Sequence, residues 1–191
     1  AGTLATLFSF LFTPNLIRIF SKQKIGQNIR DDGPKSHHSK KGTPTMGGVV
    51  FLSASIVAYL VSHMFTRVPM SASAILVMAL MVGLGIVGFV DDYIKVAKKQ
   101  SLGLRAHEKL LGQAVVAAGF GFAGLHFRDA YGLTPISDHL STVKETSIKL
   151  GAVLVILWVI FLILGSSNSV NLADGLDGLA SGAAIMTFVA F

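Results

Sequence analysis

Five apolar runs of about membrane-spanning length, separated by short polar stretches, constrain this chain more than anything else in it. A helix that crosses a bilayer needs roughly 20 mostly apolar residues. The runs at about 2–20, 46–65, 69–90, 110–127 and 149–167 meet that length, and a sixth occupies 179–191. Composition agrees: 52% of the residues are hydrophobic, 14% are charged, and the mean hydropathy is +0.65. A soluble domain of this size rarely has such a balance. Helix is the expected state, because an open strand would leave backbone groups unpaired in lipid, and Pro14 inside the first run is tolerable for a membrane helix. The expected fold class is therefore all-α: a polytopic transmembrane helix bundle forming a single transmembrane domain over 1–191. The chain opens in an apolar run without an initiator Met and stops in another at Thr187–Phe191, so the reading expects a piece of a longer protein.

The formal charge of +6 is distributed unevenly. Seven basic residues fall in 18–45 (Arg18, Lys22, Lys24, Arg30, Lys35, Lys40 and Lys41) and five in 91–109 (Lys95, Lys98, Lys99, Arg105 and Lys109). The opposite side has four, Arg67, Arg128, Lys144 and Lys149. Basic residues confined to loops between apolar runs argue against nucleic acid as a partner and for the positive-inside pattern. Twelve against four places 18–45, 91–109 and 168–178 in the cytoplasm and leaves 128–148 as a polar external excursion. The chain has no cysteine, which excludes disulfides and thiolate metal sites.

All the polar clusters then share one face. Asp91-Asp92 end the third run. Carboxylates at a helix C-terminus are disfavoured by roughly 0.3–1 kcal/mol, and Lys95, four and three residues on, offsets this if the helix continues. The bland reading is a solvated interfacial pair; the functional one is a carboxylate that binds Mg²⁺ or moves a proton. Asn168, Asn171, Asp174 and Asp177 recur every third residue, with Gly175 and Gly178 beside the acids. At about 100° per residue, one straight helix cannot aim all four inward, so a bent segment lining a polar cavity fits better than a plain turn. Polar residues at the end of a membrane-grade run are expensive to place there. Two such clusters point to a metal and a phosphorylated substrate. The segment 33–48, GPKSHHSKKGTPTMGG, puts cations ahead of helix-start chemistry, which suits phosphate as well as a positive-inside anchor. His37 and His38 lack metal-ligand spacing. Lys109 opens the next helix on the same side, where a snorkelling lysine is the bland alternative.

These motifs resemble the polyprenyl-phosphate N-acetylhexosamine-1-phosphate transferases. GPKSHHSKKGTPTMGG (33–48), GFVDDYIK (88–95) and NSVNLADGLDGLASG (168–182) match that family in order and spacing over essentially the whole chain, and TPTMGG is similar to its muramoyl-pentapeptide branch. The resemblance implies a protein of about ten transmembrane helices, of which this chain would lack the first and roughly the last four. It implies transfer of phospho-N-acetylmuramoyl-pentapeptide from its UDP-linked donor to undecaprenyl phosphate, giving lipid I and UMP in peptidoglycan synthesis. The setting would be the cytoplasmic face of a bacterial inner membrane, with Mg²⁺ as cofactor. By motif match Asp91 would deprotonate or orient the lipid phosphate, with Asp92 supporting it or the metal. Asn168, Asn171 and Asp174 would serve the nucleotide-diphosphate region, with Asp174 as a metal ligand secondary to one expected downstream of Phe191. Asp177 would order the uridine side, and Lys40, Lys95 and Lys109 would contact phosphates. A homodimer is carried as an open expectation. The alternatives are a sister transferase using UDP-N-acetylglucosamine, which TPTMGG weakens, and an ion-coupled transporter, which would place its acids mid-helix rather than at a boundary.

The charge asymmetry makes a topological prediction. Single cysteines introduced at Gln27 and Gln100 are expected to react with a membrane-impermeant maleimide only after the cells are opened. Labelling of either in intact cells would reverse the orientation.

Overall fold

The computed structural model describes residues 1–22, 46–100, 102–129, 132–141, 145–175 and 178–190. Among these residues six helices and one hairpin follow in chain order: α1 (Gly2–Lys22), α2 (Gly48–Thr66), α3 (Ala72–Ala97), α4 (Ala106–His126), β1 (His139–Ser141), β2 (Glu145–Lys149), α5 (Ala152–Ala173) and α6 (Leu179–Ala190). Each helix contacts its neighbours in sequence, α1 on α2, then α2–α3, α3–α4, α4–α5 and α5–α6. Among the described residues four helices, α1, α2, α3 and α5, are long and apolar enough to cross a membrane.

The expected run 110–127 does form a helix, α4, yet it is not one of those four. It carries His107, Glu108, Lys109 and Gln113 in its first two turns. Its position explains how it tolerates them. Packed between α3 and α5, it buries Gln113, Ala117, Gly121 and Gly124 along one stripe. In lipid there is no hydrophobic drive between apolar helices, so association relies on close approach at small residues and on polar bonds. Both appear here. A Cβ at Gly83 of α3 would stand 2.7 Å from Val116 Cγ1 of α4, and one at Gly112 of α4 would stand 3.2 Å from Val87 Cγ2 of α3. Gly121 lies against Ile156 and Val159 of α5. In α2 the buried residues, Val50, Ala54 and Ala58, also follow a four-residue step.

Two helices run past their expected ends. The apolar run of α3 ends at 90 in the sequence, but the helix continues to Ala97. Its 26 residues span about 39 Å at 1.5 Å per residue, beyond a hydrocarbon core of about 30 Å. The last turns, with Asp91, Asp92 and Lys95, therefore reach the interface. Likewise α5 continues past 167 to Ala173, so Asn168 and Asn171 are helical. The helix ends near the glycines as anticipated: α5 stops at Ala173, with Asp174 as its C-cap, and Gly178 takes φ +78° just before α6 begins.

The hairpin was not anticipated; 128–148 reads as a polar excursion. β1 and β2 pair antiparallel, with His139 opposite Lys149 and Ser141 opposite Glu145. The strands are too short to show a two-residue alternation in sequence. Polar contacts tie them down: Lys149 Nζ lies 2.9 Å from Asp138 Oδ2, and the Thr146 hydroxyl donates to the Leu140 carbonyl at 2.6 Å. The Lys149 ammonium beside it holds the Asp138 carboxyl below its ordinary pKa. The Leu150 N–H donates to the Asp138 carbonyl at 2.7 Å, which brings the chain directly to the start of α5.

The close α3–α4 approach predicts an asymmetry between glycines. Gly83→Leu is expected to cost about 1–3 kcal/mol through overpacking against Val116. Gly119→Ala, where the new Cβ meets open space, is expected to be neutral or to gain up to about 1 kcal/mol from helix propensity. Thermal unfolding in detergent compares them; equal stabilities would show that α3 and α4 do not meet at Gly83.

Candidate active site

The site grows from the way α3 ends. Its last turn closes with Lys99 in the left-handed region, φ +50°. The Lys99 N–H donates to the Val96 carbonyl at 3.2 Å and the Gln100 N–H to the Lys95 carbonyl at 3.0 Å. This is the six-to-one, five-to-two pattern of a Schellman cap, which satisfies the last carbonyls and turns the chain back on itself. The returning segment passes over Asp91. Leu104 donates its backbone N–H to Asp91 Oδ1 at 2.8 Å. Gly103 lies so close that a Cβ there would collide with both the Asp91 carbonyl and its carboxylate. One turn later α4 starts at Ala106, with Glu108 Oε2 accepting the Arg105 N–H at 2.9 Å.

Asp91 is buried, 7% exposed. Its second oxygen, Oδ2, lies 2.7 Å from Lys95 Nζ, and the same ammonium is 2.9 Å from Asp92 Oδ1. One lysine thus bridges both acids across the i+3 and i+4 positions of a continuous helix, as the spacing led one to expect. A buried carboxylate needs its oxygens satisfied. Here a backbone N–H takes one oxygen and an ammonium the other.

Lys109 and Asn171 face this cluster from α4 and α5, with Lys109 Nζ donating to Asn171 Oδ1 at 3.1 Å. A cleft of about 390 Å³ lies between these groups and the start of α2. Phe51, Leu52, Met81 and Leu84 form an apolar wall; Asp91, Asp92, Lys109 and Asn171 form a polar one. Residues 62 positions apart in sequence, Lys109 and Asn171, thus meet at one end of the bundle.

Lys95 lies behind the cleft, held by Asp91 and Asp92. Asp174 caps α5 one turn beyond Asn171 and is exposed. Asn168 points its amide into the α4–α5 seam, donating to Gln113 Oε1 and to the Leu164 carbonyl, both at 2.8 Å. Lys40 and Asp177, with His37 and His38, lie outside the described residues. Among the described residues no three His, Cys, Asp or Glu side chains gather as a metal cage. Three contributors escaped the sequence reading. Leu104 acts through its backbone and Gly103 through an absent side chain, so neither has a sequence signal. Gln113 had one: it is the lone amide in the run 110–127.

The clamp over Asp91 predicts a sharp effect from a small change. Gly103→Ala needs no unusual φ, yet its methyl must displace the Asp91 carboxylate or the loop. Turnover of the folded protein is expected to fall about 10-fold or more in any assay of this site. Gly119→Ala serves as the matched control; equal turnover in both would show that the loop does not set the Asp91 carboxylate.

Comparison with known proteins agrees with this picture. The model of glycosyl transferase family 4 matches residues 73–191, and a signature described as phospho-N-acetylmuramoyl-pentapeptide-transferase signature 1 matches 40–52. Curated phospho-N-acetylmuramoyl-pentapeptide-transferases are similar over the whole chain. That of Streptomyces avermitilis is 49% identical over 191 residues, that of Thermobifida fusca 47% over 191 and that of Cutibacterium acnes 48% over 192; in each case all of this chain and 54% of the relative are covered. The chain spans about half the length of these curated relatives. The family model spans α3 through α6, and so takes in the Asp91–Lys95 clamp, Lys109 and Asn171 together. A membrane bundle with this cleft and this signature belongs to glycosyl transferase family 4.

Proposed function

We propose that this chain supplies the phosphate-binding part of a phospho-N-acetylmuramoyl-pentapeptide transferase acting at the cytoplasmic face of a bacterial inner membrane. The acceptor is undecaprenyl phosphate, the donor is UDP-N-acetylmuramoyl-pentapeptide, and the products are lipid I and UMP. The carrying observation is the two-walled cleft, apolar at Phe51, Leu52, Met81 and Leu84 and polar at Asp91, Asp92, Lys109 and Asn171. A reactant with a greasy tail and an anionic head needs both walls at a membrane boundary. The relatives' name and the signature at 40–52 support the sugar and peptide part of the reading.

In the proposed reaction an oxygen of the lipid phosphate attacks the sugar-linked phosphorus of the donor. A new P–O bond forms, the P–O bond to the uridine-bearing phosphate breaks, and UMP leaves with the electron pair. A phosphate monoester has a second pKa near 6, so most of the acceptor is already a dianion at neutral pH and needs orienting more than deprotonating. That suits Asp91, whose two oxygens are taken by Leu104 and Lys95. Its part is to hold Lys95 and the α3–α4 loop behind the cleft. Lys109 meets the phosphates directly, with Asn171 steering its ammonium. Lys40 and Asp177 complete the set in this reading.

Two anions must approach one another, and Lys95 is already matched by two carboxylates. Charge neutralisation is therefore incomplete without a cation. Mg²⁺ shared between protein and substrate would meet this need, since the ion commonly takes one or two carboxylates together with substrate phosphates. Asp174, exposed at the end of α5, would contribute a carboxylate to it, with Asp92 in a supporting role, and the bound ion would supply positive charge to the diphosphate. A transporter reading finds little support, because Asp91 and Asp92 stand near the end of α3 rather than at its middle.

UMP release from a protein of the relatives' full length carrying this chain tests the reading. A chelator is expected to abolish turnover. Asp174→Asn is expected to lose about three decades in kcat, equivalent to about 4 kcal/mol of transition-state stabilisation. Metal-independent release would overturn the cation's role, and a near-parental rate for folded Asp174→Asn would remove Asp174 from the mechanism.

A further inference from the structure

Only two polar side chains are buried among the described residues, Asp91 and Gln113. The first belongs to the cleft; the second lies one helical turn deeper on α4 than Lys109. Gln113 is 3% exposed, and both ends of its amide are used by α5. Its Nε2 donates to Ser167 Oγ at 3.1 Å, and its Oε1 accepts from Asn168 Nδ2 at 2.8 Å. Asn168 Nδ2 also donates to the Leu164 carbonyl at 2.8 Å, which holds that amide against its own helix.

The spacing on the two helices matches. On α4, Lys109 and Gln113 are four apart; on α5, Asn171 and Ser167 are four apart and run the other way. The Lys109–Asn171 and Gln113–Ser167/Asn168 bonds are therefore successive rungs of one antiparallel ladder. Below the second rung the seam changes character. Ala117 is wholly buried and Gly121 faces Ile156 and Val159. Small residues let the helices approach but offer few knobs to oppose sliding, whereas hydrogen bonds between side chains are directional. At the cleft rung Asn171 is exposed and Lys109 half-buried; at the second rung Gln113 is buried, with Ser167 and Asn168 half-buried beside it.

We propose that Gln113 is a positioning residue for the transfer reaction. Through Ser167 and Asn168 it fixes the axial register of α4 against α5 and so sets where Lys109 and Asn171 meet in the cleft. This deepens the reading of that cleft as the transfer site and rests on it. It also gives Asn168 a role distinct from touching substrate: its amide holds the seam from which Asn171, one turn on, projects.

Two measurements on the protein at the relatives' full length test the proposal. In the first, Gln113→Leu keeps the side-chain bulk and removes both bonds. The kcat for UMP release is expected to fall about 10- to 100-fold with the KM for the UDP-linked donor changed by less than threefold, because misplacement weakens the transition state more than the ground state. In the second, nitroxides at Leu111 and Leu172, both exposed, report the α4–α5 distance distribution. In the Leu variant it is expected to shift or broaden below the unfolding temperature. A merely structural glutamine would lower the melting temperature while leaving kcat and the distances of the folded protein unchanged, and that result overturns the proposal. If Leu prevents folding, Gln113→Asn, one methylene shorter, takes its place with the same expectations, since it cannot reach both partners. If the parent releases no UMP, the reading of the cleft fails by itself. The distance arm then still decides whether Gln113 sets the register.

Discussion

Lipid offers helices no hydrophobic reward for touching, and the fold follows from that constraint. Among the described helices of spanning length, α4 alone is not apolar enough to cross a membrane by itself, and it sits between α3 and α5, where Gln113 and its small residues are buried. Gly83 and Gly112 let α3 and α4 approach closely through Val116 and Val87, and Gln113 joins α4 to α5 by hydrogen bonds rather than by apolar contact. Close packing and polar bonding are the two terms left when water is absent. Both converge on α4, and α4 carries Lys109 to the cleft.

At the membrane boundary the same accounting continues with charge. A buried carboxylate is costly unless its oxygens are bonded and its charge is paired. Asp91 meets that requirement with one backbone N–H and one ammonium. The chain therefore has to turn back after Lys99, pass Gly103 without a side chain, and enter α4 at a fixed point. The acid and the loop determine each other: the loop satisfies the carboxylate, and the carboxylate specifies how α4 is launched. The placement of Lys109 thus follows from the satisfaction of Asp91 as well as from the α4–α5 seam.

Much of the candidate site was legible because its residues are conspicuous against an apolar background. Asp91, Asp92, Lys95, Lys109 and Asn171 are polar groups at the ends of membrane-grade runs, and the i+3 and i+4 spacing of Lys95 from the two acids anticipates the observed bridge. Asn168 shares the three-residue rhythm of Asn171, yet it turns into the seam, because residues three apart on a helix point about 60° apart. The rhythm marked the segment without distinguishing its faces. Leu104 was invisible, since a backbone donor has no residue type of its own. The hairpin was hidden as well: strands of three and five residues are shorter than any periodic signal, and they are held by contacts such as Lys149 with Asp138.

From the sequence alone came the membrane class, the helical state, the number of apolar runs, the shared end of the Asp91 and Asn171 clusters and the family resemblance. All of these depend on local hydropathy, charge counts and short motifs, which are properties of consecutive residues. Tertiary structure alone decided that α4 lies inside the bundle, that Lys109 reaches Asn171 across 62 positions, and that Gln113 pairs with Ser167 and Asn168. It also decided that Asp91 faces a loop rather than open water. Each of these depends on which helix faces are brought together, and in lipid that choice is made by steric fit and polar satisfaction between distant segments, neither of which is written in any single stretch of the chain.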